Sequence, residues 1–99
     1  MTVHVVDHWL RHAERIRFPL RRVQGARAVV IIARQIYGRW RVAIDTGAPG
    51  HRGYAGECRR EFANRWNAIM FGLQQVRDFW IAQDVPAMVA DVQELLENQ

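Results

Sequence analysis

The stretch Arg27-Ala28-Val29-Val30-Ile31-Ile32-Ala33-Arg34-Gln35-Ile36-Tyr37-Gly38-Arg39-Trp40-Arg41-Val42-Ala43-Ile44-Asp45 decides the fold. Its first part, Ala28 to Ala33, is apolar at both parities and β-branched through the middle, as a central strand covered on both faces requires. Tyr37-Gly38 marks a tight turn. Beyond it Trp40, Val42 and Ile44 alternate with Arg39, Arg41 and Ala43, the two-residue period of a half-buried strand. Residues 27–45 are therefore expected to form a β-hairpin.

Working outward to the N-terminal side, Ile16, Phe18 and Leu20 alternate with Arg15, Arg17 and Arg21. This predicts a further strand, and Pro19, which cannot donate to a ladder, places it at a sheet edge. Val6, Trp9, Leu10, Ala13 and Ile16 recur at helical spacing, so a first helix is expected from Thr2 or Asp7 to Glu14, with either as N-cap. Val3 to Val6 would also serve as a short strand.

On the C-terminal side, Thr46 to Gly56 is a glycine-rich loop. Phe62, Ala63, Trp66, Ile69, Met70, Leu73 and Val76 then mark one face of a long helix from Glu57 to Ala82. Phe71, Phe79, Trp80 and Ile81 widen that face, so the helix is expected to be buried on two sides or shared with a partner. Asp84-Val85-Pro86 supplies an N-cap and an early proline, and Val89, Val92, Leu95 and Leu96 make a last amphipathic helix. The expected architecture is one α+β domain over residues 1–99: N-terminal helix, three-stranded antiparallel sheet, long helix, short C-terminal helix.

Composition agrees with that size. The chain has 99 residues, 49% hydrophobic and 24% charged, with one cysteine, and domains usually run to roughly 100–200 residues. Folding at this length needs neither metal nor disulfides. No apolar run approaches the roughly 18 residues of a membrane span, and Met1-Thr2-Val3-His4 lacks the pattern of a secretory signal. With Cys58 unable to pair within the chain, a cytoplasmic protein without a membrane role is expected. The chain contains no serine and no lysine. Serine-based hydrolysis, lysine Schiff bases and Walker-type loops are thereby excluded. All 14 basic residues are arginine, which favours planar, bidentate recognition of carboxylate or phosphate.

The charge is distributed unevenly. Residues 1–44 hold nine arginines against Asp7 and Glu14, a net of +7, whereas residues 45–99 hold five arginines against eight acids, a net of −3. Either the molecule has two functional surfaces, or its acidic end folds back over its own basic face.

Four constellations could carry chemistry. His4, His8 and His12 fall at i, i+4 and i+8 of the expected first helix, but three in a row span too far for one ion, and a metal site is not expected. Cys58 at the expected helix start, with Arg59, Arg60 and His51 nearby, is the one nucleophile and base pair available, without a third group to orient the histidine. Glu57 and Glu61, one helical turn apart beside arginines, suit ion pairing better than acid–base catalysis. The loop from Gly47 to Gly56 places glycine at every third position before a helix start with Arg52 at hand, a place that can hold an anion.

The basic strands make the strongest case. Arg15, Arg17, Arg39 and Arg41 point away from the Ile16/Phe18 and Trp40/Val42/Ile44 side, so one sheet face is expected to carry arginines on both flanks of an apolar centre. That centre needs a cover, either a partner or a second copy of the chain, and a homodimer is expected. The functional expectation is a non-enzymatic interaction protein, without cofactor or metal. Its Arg15, Arg17, Arg39 and Arg41 surface, helped by Arg52 and Trp40, engages an acidic protein or nucleoprotein complex. The alternatives are direct nucleic-acid binding by the same face, and small-molecule or phosphate binding by the glycine loop.

The expected order of helix, three strands and helix resembles that of double-stranded-RNA-binding domains. Gly38-Arg39-Trp40-Arg41-Val42-Ala43-Ile44 before a loop and helix is similar to plant-type three-stranded DNA readers. The RNA-binding family's basic helix-start motif would fall at Glu57-Cys58-Arg59-Arg60-Glu61, where two glutamates replace the expected lysines, so its function is not carried over. In size and style the chain also resembles accessory proteins of phages and mobile elements, anti-CRISPR inhibitors included. No motif stands behind that last likeness, and fold-level analogy alone does not license function.

Overall fold

The apolar run Ala28 to Ile32 forms the middle of strand β2 (Arg27–Arg34), and every one of its side chains is buried. A computed structural model describes residues 9–23, 25–46 and 56–98. The expected hairpin is present: β2 pairs antiparallel with β3 (Trp40–Asp45), with Val30 opposite Ile44 and Ile32 opposite Val42. Gly38 closes the turn at φ 91°, a left-handed backbone that glycine adopts without steric cost. Its N–H donates to the Gln35 carbonyl at 2.8 Å, while the Gln35 N–H donates to the Arg39 carbonyl at 2.8 Å.

Strand β1 (Glu14–Pro19) adds on the outer side of β2, with Arg15 opposite Ile31 and Arg17 opposite Val29. It is an edge strand, as Pro19 requires. Glu14 pairs with Ile32 in this ladder, so the expected first helix cannot extend to Glu14. Of that helix, Trp9 and Leu10 are helical and Arg11-His12 is a turn, its end drawn tight by the N–H groups of His12 and Ala13 donating to the Trp9 and Leu10 carbonyls. Thr2 to His8 lie outside the described residues.

The sheet has four strands rather than three, in the order β1-β2-β3-β4, all antiparallel. Strand β4 (Gly56–Phe62) occupies what the sequence presents as the start of the long helix. Its backbone pairs Cys58 with Val42 and Phe62 with Trp40, across a register shift between Trp40 and Val42. The open hydrogen-bonding edge of β3 decides this segment against its charged, helix-compatible composition, a case of tertiary pairing overriding local preference.

Helix α1 (Arg65–Ala82) therefore begins eight residues later than expected. Asn64 caps it, its side-chain oxygen accepting from the Asn67 N–H at 2.8 Å. The buried stripe is Ala68, Ile69, Gly72, Leu73, Val76 and Trp80; Ala68, Ile69 and Leu73 pack on Val30, Ile32, Val42 and Phe62 of the sheet, and Val76 and Trp80 on Ala28 and Ile44. Trp66, expected on the buried stripe, and Ile81, expected to widen it, are both about half-exposed.

Helix α2 (Pro86–Glu97) packs beside α1 and closes a second cluster, with Met88 and Val92 against Leu20, Ala28, Ile44 and Trp80. The residue before it is Val85, and Asp84, the expected N-cap, ends α1 with φ 58°. The Asp84 N–H donates to the Ile81 carbonyl at 3.0 Å and the Val85 N–H to the Trp80 carbonyl at 3.2 Å. This is the paired bonding of a Schellman motif, in which the left-handed residue follows the helix end.

The other sheet face presents Val29, Ile31 and Ala43, covered by Trp9 and Leu10. The cover foreseen as a partner or second copy is thus supplied by the chain's own N-terminal turn. Among the described residues no helix is long and apolar enough to cross a membrane.

Candidate functional site

Cross-strand register fixes where the arginines stand. On the face opposite the helices, Arg17, Val29 and Asp45 form one row, and Arg15, Ile31 and Ala43 the next. Ala33 and Arg41 make the row beyond. Arg15 and Arg17 are exposed and form no ion pair among the described residues. The expected placement of Arg15, Arg17 and Arg41 on one face around an apolar centre therefore agrees with the register.

Arg41 differs from the first two in its surroundings. It is half-buried, with its guanidinium carbon 4.8 Å from the centroid of the Trp9 ring, a cation–π contact that ties it to the cover of the sheet. Arg39, exposed at the β2–β3 turn, reaches toward β4 and donates to the Glu61 carbonyl at 3.4 Å. Beside it the Tyr37 hydroxyl donates to the Glu61 carboxylate, and that hydrogen bond, with desolvation, raises the phenol above its ordinary value. Trp40 lies on the helix side of the sheet, half-buried among Val42, Phe62 and their neighbours, and so stands apart from the arginine face. Arg52, with the rest of the glycine loop from Gly47 to Ala55, lies outside the described residues.

One arginine that the sequence pattern did not single out joins the face. Arg27, first residue of β2, pairs with Pro19 and projects on the same side as Arg17. It is exposed and has no ion pair among the described residues. Arg17 and Arg27 line a common cleft of about 280 Å³ with Pro19, Leu20, Gly25 and Ala26, and no carboxylate contributes to its walls. The apolar run gave no face to its flanking residues; only the pairing with β1 does.

The acidic end does fold back, but onto other arginines. Asp91 of α2, almost fully buried, accepts from the Arg22 backbone N–H at 2.8 Å and from the Arg22 guanidinium. Glu94 pairs with Arg22 and, at 3.1 Å, with Arg21. Burial works against the Asp91 carboxylate, yet the backbone and side-chain hydrogen bonds from Arg22 outweigh it and hold the group below its usual range. Glu14, on the helix side of β1, receives the Arg65 guanidinium at 2.6 and 3.3 Å. Among the described residues, acids therefore pair with Arg21, Arg22 and Arg65, whereas Arg15, Arg17 and Arg27 form no ion pair.

The other constellations change character. Cys58 sits within β4, opposite Val42, so no helix start lies at its backbone to activate a thiol. His51 lies outside the described residues. Glu57 and Glu61 are strand residues four apart, about 13 Å along the strand by its rise, and are not one helical turn apart. Of the histidine stripe, His12 is exposed in the turn, and His4 and His8 lie outside the described residues. No protein-family model, curated protein or solved structure matches the chain.

Proposed function

We propose that this chain is a binding protein rather than an enzyme, and that the sheet face carrying Arg15, Arg17 and Arg27 engages a polyanionic partner, either an acidic protein or a nucleoprotein complex. The observation that supports this is the selective neutralisation of charge. The same short region holds Arg21 and Arg22, which are paired by Asp91 and Glu94, and three arginines on the open face that no described acid meets. Exposed guanidinium groups with no ion pair among the described residues are suited to phosphate or carboxylate oxygens of a partner. Arg41 and Arg39, engaged with Trp9 and Glu61, flank the face rather than form its centre. An accessory or inhibitor protein acting on a nucleoprotein complex in the cytoplasm fits this reading. With Trp9 and Leu10 covering the sheet, the reading needs no second copy of the chain.

The test is binding to mixed-sequence DNA, mixed-sequence RNA and polyglutamate at low and moderate salt. At least one of these is expected to bind, with affinity falling steeply as salt rises. Arg15→Glu with Arg17→Glu should weaken that binding by roughly ten-fold or more, since each lost phosphate contact removes a released counterion. Arg39→Ala with Arg41→Ala should have the smaller effect. If none of the three polyanions binds at low salt, the reading fails.

A further inference from the structure

The loop end of the β1–β2 hairpin concentrates four arginines in a small space. Two of them, Arg21 and Arg22, turn toward α2 and are neutralised there. The other two, Arg17 and Arg27, stand diagonally across neighbouring strands on the opposite face, because Arg17 is opposite Val29 and Arg27 precedes Val29 by two residues. Such diagonal neighbours have Cβ atoms roughly 7–8 Å apart, within reach of two long side chains. Asp45 stands in the same cross-strand row as Arg17, but neither arginine forms an ion pair among the described residues. An oxyanion held between the two guanidinium groups would pair with both.

The cleft has room for such a group. Gly25, at φ 78°, forms part of the wall, and a Cβ added there would meet nothing within 4 Å, so the space beside it is open. Two backbone donors of the wall are already used: the Leu20 N–H donates to the Ala26 carbonyl at 3.0 Å and the Ala26 N–H to the Val23 carbonyl at 3.1 Å. The charge for recognition comes from the two guanidinium groups. The two non-bridging oxygens of a phosphodiester point in different directions from a tetrahedral phosphorus, so each can accept from its own guanidinium. Arg15 continues the row two residues further along β1, about 6.6 Å away by strand rise, which suits a chain of phosphates better than one phosphorylated side chain.

Building on the reading above, we propose that the Arg17–Arg27 cleft seats one phosphodiester of a nucleic-acid strand and that Arg15 meets the neighbouring phosphate. Contacts of this kind position a strand without reading its bases, so affinity should be indifferent to sequence.

The experiment measures anisotropy of labelled 20-nucleotide DNA and RNA strands of mixed sequence, and of labelled polyglutamate, titrated with the full chain over a salt series. Arg17→Gln and Arg27→Gln are each expected to weaken nucleic-acid binding and to lower the slope of log affinity against log salt by about one. The double variant should lose roughly ten-fold or more at moderate salt. Arg34→Gln, an equal charge change on the other side of β2, should stay within about two-fold, with unchanged melting temperatures showing that all variants fold. Equal losses for Arg34→Gln and the double variant, or wild-type binding by the double variant, would overturn the proposal. Binding of polyglutamate without binding of either nucleic acid would overturn it while the polyanion reading stands. Binding of none would remove both.

Discussion

At the scale of single residues, Gly72 sets the distance between helix and sheet. A Cβ at this position would lie 2.6 Å from one Val30 methyl, 3.1 Å from the other and 3.2 Å from a Val42 methyl. Val30 is fully buried and β-branched, so it has little freedom to move aside. Gly72→Ala would gain about 1 kcal/mol of helix propensity, but overpacking of a tight core costs about 1–3 kcal/mol. The expected outcome is a net loss of about 1 kcal/mol, read as a lower urea midpoint. Adding Val30→Ala should recover part of it, because the two sites share the contact. Apolar periodicity in the sequence places Ile69, Leu73 and Val76 on the buried stripe; Gly72 stands there as an isolated glycine inside a helical pattern. Parity alone likewise puts Arg15 and Arg17 on one face and Trp40 on the other. Arg27 needed the register of two strands, which no local pattern supplies.

At the scale of elements, the Schellman turn between the helices carries an avoidable cost. Asp84 holds φ 58°, where an L-residue with a side chain is disfavoured by about 1–2 kcal/mol, somewhat less for aspartate. Asp84→Gly should raise stability by about 0.5 kcal/mol, the steric relief being partly offset by glycine's greater chain entropy, and Asp84→Val should lower it. Paired thermal melts of the two variants check both signs. The Asp84-Val85-Pro86 sequence suggests an N-cap because aspartate before proline commonly starts a helix. Here the residue belongs to the preceding helix, whose end is fixed by Val85 packing back toward Phe79 and Trp80. The hairpin of β2 and β3 was legible because its apolar run and turn glycine are local signals. Strand β4 was not, since Glu57 to Glu61 has no two-residue alternation of its own and becomes a strand only beside β3. The Asn64 cap was available in the sequence as the sign that the helix begins after Phe62.

At the scale of the whole molecule, the charge asymmetry seen along the chain becomes a clasp joining its two ends. Asp91 and Glu94 hold Arg21 and Arg22 at the tip of the β1–β2 pair, while the open sheet face stays positive. Because the Asp91 carboxylate is held below its usual range, its contribution is complete above the unfolded value of about 3.9 and is lost as pH falls through the folded one. Asp91→Asn should lower stability by roughly 1.5–3 kcal/mol at neutral pH, the scale of hydrogen bonds to charged groups. The gap to wild type should narrow on acidification, as followed by urea unfolding from pH 7 to pH 3. The order of strands adds a consequence in time. Each strand pairs with its neighbour in sequence, so the sheet is built from local pairings and can assemble early, whereas the clasp joins residues 69 positions apart and can form only after the helices dock. Asp91→Asn should therefore quicken unfolding and leave the refolding rate nearly unchanged in stopped-flow measurements. The clasp governs how long the native state lasts, and the meander how soon it is reached.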